Sequence, residues 1–188
     1  MSPAFPPLDA AREAELLAAA RARGAGRERA FEALFRALRE PVLGLCLHLT
    51  GRRADAEDAA QETFLAVHRA LPDFRGEARL TSWVYRIAVR AAIQARARRR
   101  DHAEVDPETP APGGPQATDA ALAARHEARR VQAALGLLPA EQGAVLALFA
   151  VEGLSHREVA EVLGVPEGTV WSRLHGARRR LAELLGRG

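Results

Sequence analysis

Residues Leu154–Leu185, LSHREVAEVLGVPEGTVWSRLHGARRRLAELL, predict two helices joined by a tight turn. Ser155 is followed three residues later by Glu158, which is the capping-box spacing: the hydroxyl caps the third amide and the carboxylate reaches back. Gly164 can take the left-handed conformation that ends a helix, and Pro166 suits the first position of the next helix. The stretch is therefore a candidate helix-turn-helix.

The second helix of this motif has an apolar face and a polar, arginine-rich face. Arginine can bind guanine edges with two hydrogen bonds, and Ser, Thr and further Arg can hold phosphates. The N-terminal part of such a helix usually reads bases in the major groove. An amphipathic hairpin with a solvated arginine face is the alternative, but all features of the motif favour DNA binding. The residues expected to contact duplex DNA are Ser155, Glu167, Thr169, Trp171, Ser172, Arg173, His175, Arg178 and Arg179.

The composition predicts an all-α protein with strongly segregated charge. Ala, Leu and Arg dominate and β-branched residues are sparse, which favours helices. Arg86–Arg100 holds six arginines and no acid, whereas Asp55–Glu62 holds four acids and no base. Such segregation favours a nucleic-acid partner together with a basic protein surface. Cys46, the single cysteine, lies between two leucines and is expected to be a buried thiol.

A Pro/Gly-rich segment divides the chain. Val105–Thr118, VDPETPAPGGPQAT, has four Pro, two Gly and almost no apolar residue, so it cannot offset its ordering entropy by burial. We expect two small helical domains, 1–103 and 120–188, joined by a flexible linker, 104–119. A long surface loop within one domain is the less favoured alternative. The predicted helices are Leu8–Arg23, Arg29–Leu49 with a kink or break at Pro41, Ala54–Leu71, Thr81–Arg100 capped by Thr81 or Ser82, Ala120–Leu137, Ala140–Val151, Ser155–Leu163 and Pro166–Leu185.

The third predicted helix carries an acidic face opposite its apolar stripe. Asp58, Gln61, Glu62 and Leu65 share that face, and Asp55 lies near the helix start. Acids at a helix start also stabilise the helix dipole and need no partner. From the residues alone, a protein-binding face and a merely stabilising one are about equally supported, with exposed Leu65 slightly favouring the former.

The fourth predicted helix and the loop before it interleave aromatic and basic side chains. Bases of single-stranded nucleic acid stack on aromatic rings while guanidinium groups meet the phosphates. Aromatic side chains at these positions can equally belong to the core: we expect Ile87 to be core and leave Trp83 and Tyr85 open. The candidate single-strand contacts are Phe74, Arg75, Arg79, Trp83, Tyr85, Arg86, Arg90 and Gln94.

These motifs together resemble the extracytoplasmic-function (ECF) sigma factors of bacterial RNA polymerase. The resemblance covers about residues 30–185. It is carried by DAEDAAQETF at 55–64 and FRGEARLTSWVYRIA at 74–88 in the first domain. In the second domain it is carried by Leu138-Pro139, VEGLSHREVA at 151–160 and GTVWSRLH at 168–175.

The resemblance implies a role for each surface. Asp55, Asp58, Gln61, Glu62 and Leu65 would bind the coiled coil of the polymerase β′ subunit, and the β subunit is a further implied partner of the chain. The aromatic and arginine helix would hold the melted −10 element, and the helix from Pro166 would read the −35 duplex. An anti-sigma partner, often membrane-anchored in this family, is also implied. This sequence departs from the family pattern at Arg90, Gln94, Gly143, Trp171 and Gly176.

The residues give no indication of catalysis or of a bound cofactor. There is no metal-spaced His pair, P-loop or nucleophile elbow, so we expect no enzyme, no metal, no cofactor and no small-molecule substrate. With no signal peptide and no long apolar stretch, a cytoplasmic location is expected. The alternative function is a conventional helix-turn-helix regulator that is not a polymerase subunit. It would explain the helix-turn-helix, but not the acidic and aromatic-arginine helices together.

Overall fold

The computed structural model describes residues 10–21, 25–102 and 119–186, and the regular structure in these ranges is entirely helical. The predicted all-α class is thus confirmed. The helices are α1 (Ala10–Arg21), α2 (Ala25–Thr50), α3 (Arg53–Ala70), α4 (Leu80–His102), α5 (Asp119–Gly136), α6 (Ala140–Ala150), α7 (His156–Leu163) and α8 (Glu167–Leu184), with a 3-10 turn at Leu71–Asp73 after α3. Most of the predicted linker, and both ends of the predicted first helix, lie outside the described residues.

Helix α2 is continuous through Pro41, so the predicted break there is wrong. Proline removes one backbone hydrogen bond and crowds the preceding turn. Here Pro41 is itself buried, and Val42 and Leu45 beside it are fully enclosed in the core. Packing on α3 and α4 therefore outweighs the local cost. The helix also begins at Ala25 rather than at Arg29.

The start of α4 is capped by a side chain from another helix. Glu13 of α1, only 8% exposed, accepts hydrogen bonds from the Thr81 amide at 3.3 Å and the Thr81 hydroxyl at 3.0 Å. The predicted caps, Thr81 or Ser82, are wrong because α4 already begins at Leu80 and the Thr81 hydroxyl donates rather than accepts. A carboxylate at this end also favours the helix dipole.

The buried core runs from the first half of the chain into the second. Helices α2, α3 and α4 pack around residues such as Leu34 and Val84, while α6, α7 and α8 enclose Leu148 and Leu174. The halves also touch, because α2 packs on α5 and α6 and α4 packs on α7. Cys46 is buried as predicted, and burial raises the pKa of its thiol to about 12.

Candidate core-polymerase and DNA interfaces

The helix-turn-helix forms as its sequence predicts. The Ser155 hydroxyl accepts from the Glu158 amide at 3.3 Å, and a Glu158 oxygen accepts from the Ser155 amide at 2.9 Å, completing the capping box. The hydrogen bond from the Ser155 backbone is the main cause that lowers the pKa of Glu158 below its usual value. Gly164 ends α7 in the left-handed conformation, with φ of 66°. Pro166 precedes α8 as its N-cap instead of occupying its first turn.

Helix α8 turns its predicted apolar face inward and leaves most of its DNA candidates in solvent. Val170, Leu174 and Ala177 are buried. Arg173 is partly covered because its guanidinium pairs with Glu141 of α6 at 2.6 Å. The exposed candidates are Ser155, Glu167, Trp171, Ser172, His175, Arg178 and Arg179, and Thr169 is half-buried.

A row of stacked side chains flanks the start of α8. The indole of Trp171, 57% exposed, stacks on the imidazole of His156 with 4.0 Å between ring centroids and 9° between planes. The other side of the row is Phe149 of α6, whose ring centroid lies 4.7 Å from that of His156. Arg178 completes the row, with its guanidinium carbon 5.5 Å from the Phe149 centroid. Sequence reasoning did not assign His156 or Phe149 to this surface, because neither lies on α8.

Gly176 of α8 lies beside the Gln142 side chain of α6. A Cβ atom added there would lie 3.1 Å from the Gln142 side-chain nitrogen, which is tighter than an ordinary contact. Glycine thus leaves room for the Gln142 side chain between α6 and α8 at this point. At Gly143 an added Cβ would meet only Leu49, at 4.0 Å.

The acidic face of α3 is open to solvent. Asp58, Gln61, Glu62 and Leu65 are all exposed, and Leu65 keeps 48% of its surface accessible, as predicted. Asp55 is more enclosed. Two arginines of α4 border this face: Arg98 binds Glu62 at 2.9 Å and Arg99 lies 3.8 Å from Asp55.

The candidate single-strand contacts divide into two groups, and the first group faces solvent. Trp83 is half-buried against Phe74, with ring centroids 4.8 Å apart. Arg90 and Gln94 follow Trp83 at i+7 and i+11, which places all three on one side of α4, and both are exposed. Arg75 is exposed in the loop before α4.

The second group, Arg79, Tyr85 and Arg86, faces the helix-turn-helix half. The Arg79 amide donates to Glu161 at 3.0 Å, and its guanidinium reaches Glu158 at 3.2 Å. The Arg86 guanidinium donates to the backbone oxygens of Glu161 and Val162 at the end of α7. These two arginines thus connect the first half of the chain to α7.

Tyr85 is buried at the same junction. It is 8% exposed, and its hydroxyl donates to Glu152 at 2.8 Å. Burial raises the pKa of Tyr85, and the neighbouring carboxylate adds to this shift. Burial also raises the pKa of Glu152, against the opposing effects of the Tyr85 hydrogen bond and of His48.

Arg96 is a further junction residue that sequence reasoning did not single out. It is 5% exposed, and one guanidinium nitrogen donates to the backbone oxygens of Gly136 at 2.5 Å and Leu138 at 2.7 Å. In the sequence it is one of four arginines in ARARRR at 95–100, and nothing there distinguishes it. Its partners lie 40 and 42 residues away.

Within the described ranges, no group of three or more His, Cys, Asp or Glu side chains is arranged to hold a metal ion. Nor does any helix in that part of the chain combine the length and apolar character needed to span a membrane.

Comparison with known proteins agrees with both halves. The family described as Sigma-70 region 2 matches residues 34–102, and Sigma-70, region 4 matches residues 128–181. The ECF RNA polymerase sigma factor SigM of Mycobacterium tuberculosis is 39% identical over 93% of this chain and 85% of its own length. The RNA polymerase sigma-H factor of Pseudomonas aeruginosa is 32% identical over 85% of this chain and 88% of its own.

Solved structures show the same architecture. CnrH, in complex with the cytosolic domain of CnrY, is 27% identical and aligns with a TM-score of 0.71 over 93% of this chain and 97% of that one. The sigma factor RpoE of Bartonella quintana, in complex with the anti-sigma factor NepR, shares the fold with a TM-score of 0.64 over 83% of this chain and 96% of that one, at 24% identity.

The chain belongs to the ECF family of sigma factors. It is an RNA polymerase sigma factor that directs transcription from specific promoters, and the alternative of a conventional regulator is not favoured. Proteins of this family are initiation factors, and the polymerase itself carries out the chemistry.

Proposed function

We propose a division of labour within this sigma factor. Residues 1–103 bind core polymerase and the melted −10 element, residues 120–188 bind the β subunit and read the −35 element, and 104–119 link the two. The observation that carries this proposal is that one chain presents two separate exposed surfaces of different chemistry, the acidic face of α3 and the arginine-rich face of α8.

The acidic face of α3 is the proposed contact with the β′ coiled coil. An exposed leucine surrounded by carboxylates combines an apolar anchor with charges that steer a basic partner. Leu65 supplies the anchor, and Asp58 and Glu62 supply the charge. Gln61 and Asp55 complete the surface.

The solvent-facing group on α4 is the proposed first contact with the −10 strand. Trp83 and Phe74 offer ring surface on which bases can stack, and Arg75, Arg90 and Gln94 stand nearby for the backbone. Since Arg90 and Gln94 are exposed in the described conformation, they can meet a strand without separation of α4 from α7.

Arg79, Tyr85 and Arg86 join this contact only after α4 separates from α7. Their side chains are bonded to α7 and to the segment just before it in the described conformation. Duplex DNA rises about 3.4 Å per base pair, so two promoter elements many base pairs apart cannot both meet surfaces that touch each other. A 16-residue linker extends to about 55 Å, which allows the required separation. Binding to core polymerase would supply the energy and the spacing.

An anti-sigma factor is the proposed second partner. The similar CnrH and RpoE chains were each solved with a bound partner, and this chain aligns with CnrH across both of its halves. We propose that such a partner favours the arrangement in which α4 and α7 touch, and that it holds this cytoplasmic chain at the membrane when it is anchored there.

Transcript mapping tests the proposed function. The purified chain is added to core polymerase with a genomic promoter library, and new transcript starts are expected. Changing Asp58 and Glu62 to Lys should abolish co-elution with core polymerase while duplex binding is retained. The double change of Glu32 and Glu40 to Lys is the matched control, because both are exposed acids of α2 rather than of α3, and it should keep core binding. The proposal fails if wild type produces no new starts, or if the control behaves like the α3 double variant.

A further inference from the structure

We propose that Trp171 reads a thymine methyl group in the −35 element and that His156 is the positioning residue that holds the indole for this contact. This inference rests on the proposed function of α8 and names the chemistry of its base recognition. Trp171 is one of the residues at which the sequence departs from the family pattern described above. His156 is not among the residues that the sequence predicted to contact DNA.

The position of Trp171 suits contact with base edges. It lies in the second turn of α8, within the N-terminal part that usually enters the major groove. Its indole is the most exposed large apolar side chain of that helix, at 57%. A large ring left in solvent on a DNA-binding helix is well placed to be covered when the groove is occupied.

The ring is already held in place before DNA binds. His156 lies between Trp171 and Phe149 and is nearly parallel to the indole. Its Nε2 atom is buried and has no hydrogen-bond partner among the described residues, so the imidazole contributes through stacking rather than through a polar network there. Because the rotamer is fixed in advance, less entropy is lost on binding.

The chemistry of the indole favours thymine. Its face is apolar, and its only polar atom is an N–H donor, so it cannot make the paired hydrogen bonds by which arginine binds guanine. Thymine alone offers a methyl group in the major groove. Arg173, two residues further along α8, pairs with Glu141. Trp171 is thus the residue that makes apolar contact with a base in this part of the helix, while Arg178 and Arg179 contact phosphates.

Holoenzyme formed from core polymerase and the full-length chain provides the test. Binding to a promoter library randomised in the −35 region should enrich thymine at one position with wild type, and Trp171→Ala should lose that enrichment. Replacing this thymine by deoxyuridine, which lacks the methyl group, should weaken wild-type binding about four-fold, since one buried methyl is worth about 0.8 kcal/mol. The same replacement should leave Trp171→Ala unaffected.

Two further variants separate positioning from general structural damage. His156→Ala should reduce the thymine preference, and His156→Phe, which can still stack, should restore it. Leu184→Ala is the matched control, because it removes another exposed apolar side chain near the far end of α8 and should change nothing. Trp171→Ala should also keep the salt dependence of binding, whereas loss of one phosphate contact would lower the slope by about 0.9.

The outcomes distinguish this inference from the proposed function. If wild-type holoenzyme selects no −35 sequence, the proposed function of α8 fails. If it selects one but deoxyuridine binds as well as thymine, or Trp171→Ala keeps the preference, only the methyl contact is wrong. If His156→Phe behaves like His156→Ala, the positioning role of His156 is wrong. If Trp171→Ala weakens binding to core polymerase but leaves the base preference of the −35 element unchanged, Trp171 contacts protein rather than DNA and the inference is overturned.

Discussion

Replacing Arg96 by Met should open the contact between the two halves of the chain. Methionine keeps an unbranched apolar side chain in the buried site but removes the charged donor that holds Gly136 and Leu138. A hydrogen bond from a charged group is worth about 1.5–3 kcal/mol net, and removal of the buried charge recovers part of its desolvation cost. For both hydrogen bonds together, we expect the free energy that favours the closed arrangement of the two halves to fall by about 2 kcal/mol. This change raises the population of the open arrangement about 30-fold.

The single cysteine provides the assay without added labels. Cys46 is fully buried, with its thiol pKa raised to about 12, and it lies close enough to Glu152 of the second half for that carboxylate to contribute to the shift. Its reaction with a thiol reagent at constant pH therefore reports how often the junction opens. Arg96→Met should accelerate labelling about 30-fold while helix content stays the same. The radius of gyration should rise above the value of about 16 Å expected for one compact body of this length.

Arg98→Met is the matched control. Arg98 lies two residues after Arg96 on the same helix, but it is exposed and binds Glu62 inside the first half. It should leave the labelling rate unchanged. The reasoning is refuted if Arg96→Met labels within two-fold of wild type, or if Arg98→Met accelerates labelling equally.

Three further predictions concern single residues. Burial raises the pKa of Glu152. The protonated carboxyl therefore contributes its full stability below the unfolded pKa of about 4.3, and this contribution is lost as pH rises through the raised pKa. Glu152→Gln, which stays neutral, should raise the melting temperature at pH 8 and leave it nearly unchanged at pH 4. A pH series of thermal melts in which the two proteins stay parallel would contradict this. Gly164→Ala should cost about 1 kcal/mol of unfolding free energy in urea, because φ of 66° is strained for alanine, whereas equal stability would show that the turn relaxes. Glu13→Ala should cost about 1–3 kcal/mol and increase hydrogen exchange at the start of α4, and unchanged exchange would mean that solvent caps this end equally well.

Local patterns predicted the helix-turn-helix well because its determinants are close in sequence. The capping box spans four residues and the left-handed glycine follows directly after α7, so their geometry depends on short-range sterics and hydrogen bonds. The exposed face of α3 was equally predictable from helical periodicity. The break at Pro41 was wrongly predicted because the cost of a proline inside a helix can be read from the local sequence. The packing of α2 on α3 and α4, which outweighs that cost, cannot.

The sequence by itself determined the helices and the exposed acidic and arginine-rich faces, and it contains the motifs by which the chain resembles the ECF sigma factors. Only the tertiary structure decided which arginines of α4 are exposed and which are bonded to the other half, that a side chain at Gly176 would crowd the Gln142 amide, and that His156 stacks on Trp171. The physical reason is distance along the chain. Helical periodicity fixes which side of a helix a residue occupies, but the partner that covers that side can lie 40 to 85 residues away, as for Arg96 and for the Gln132 contact with Leu47.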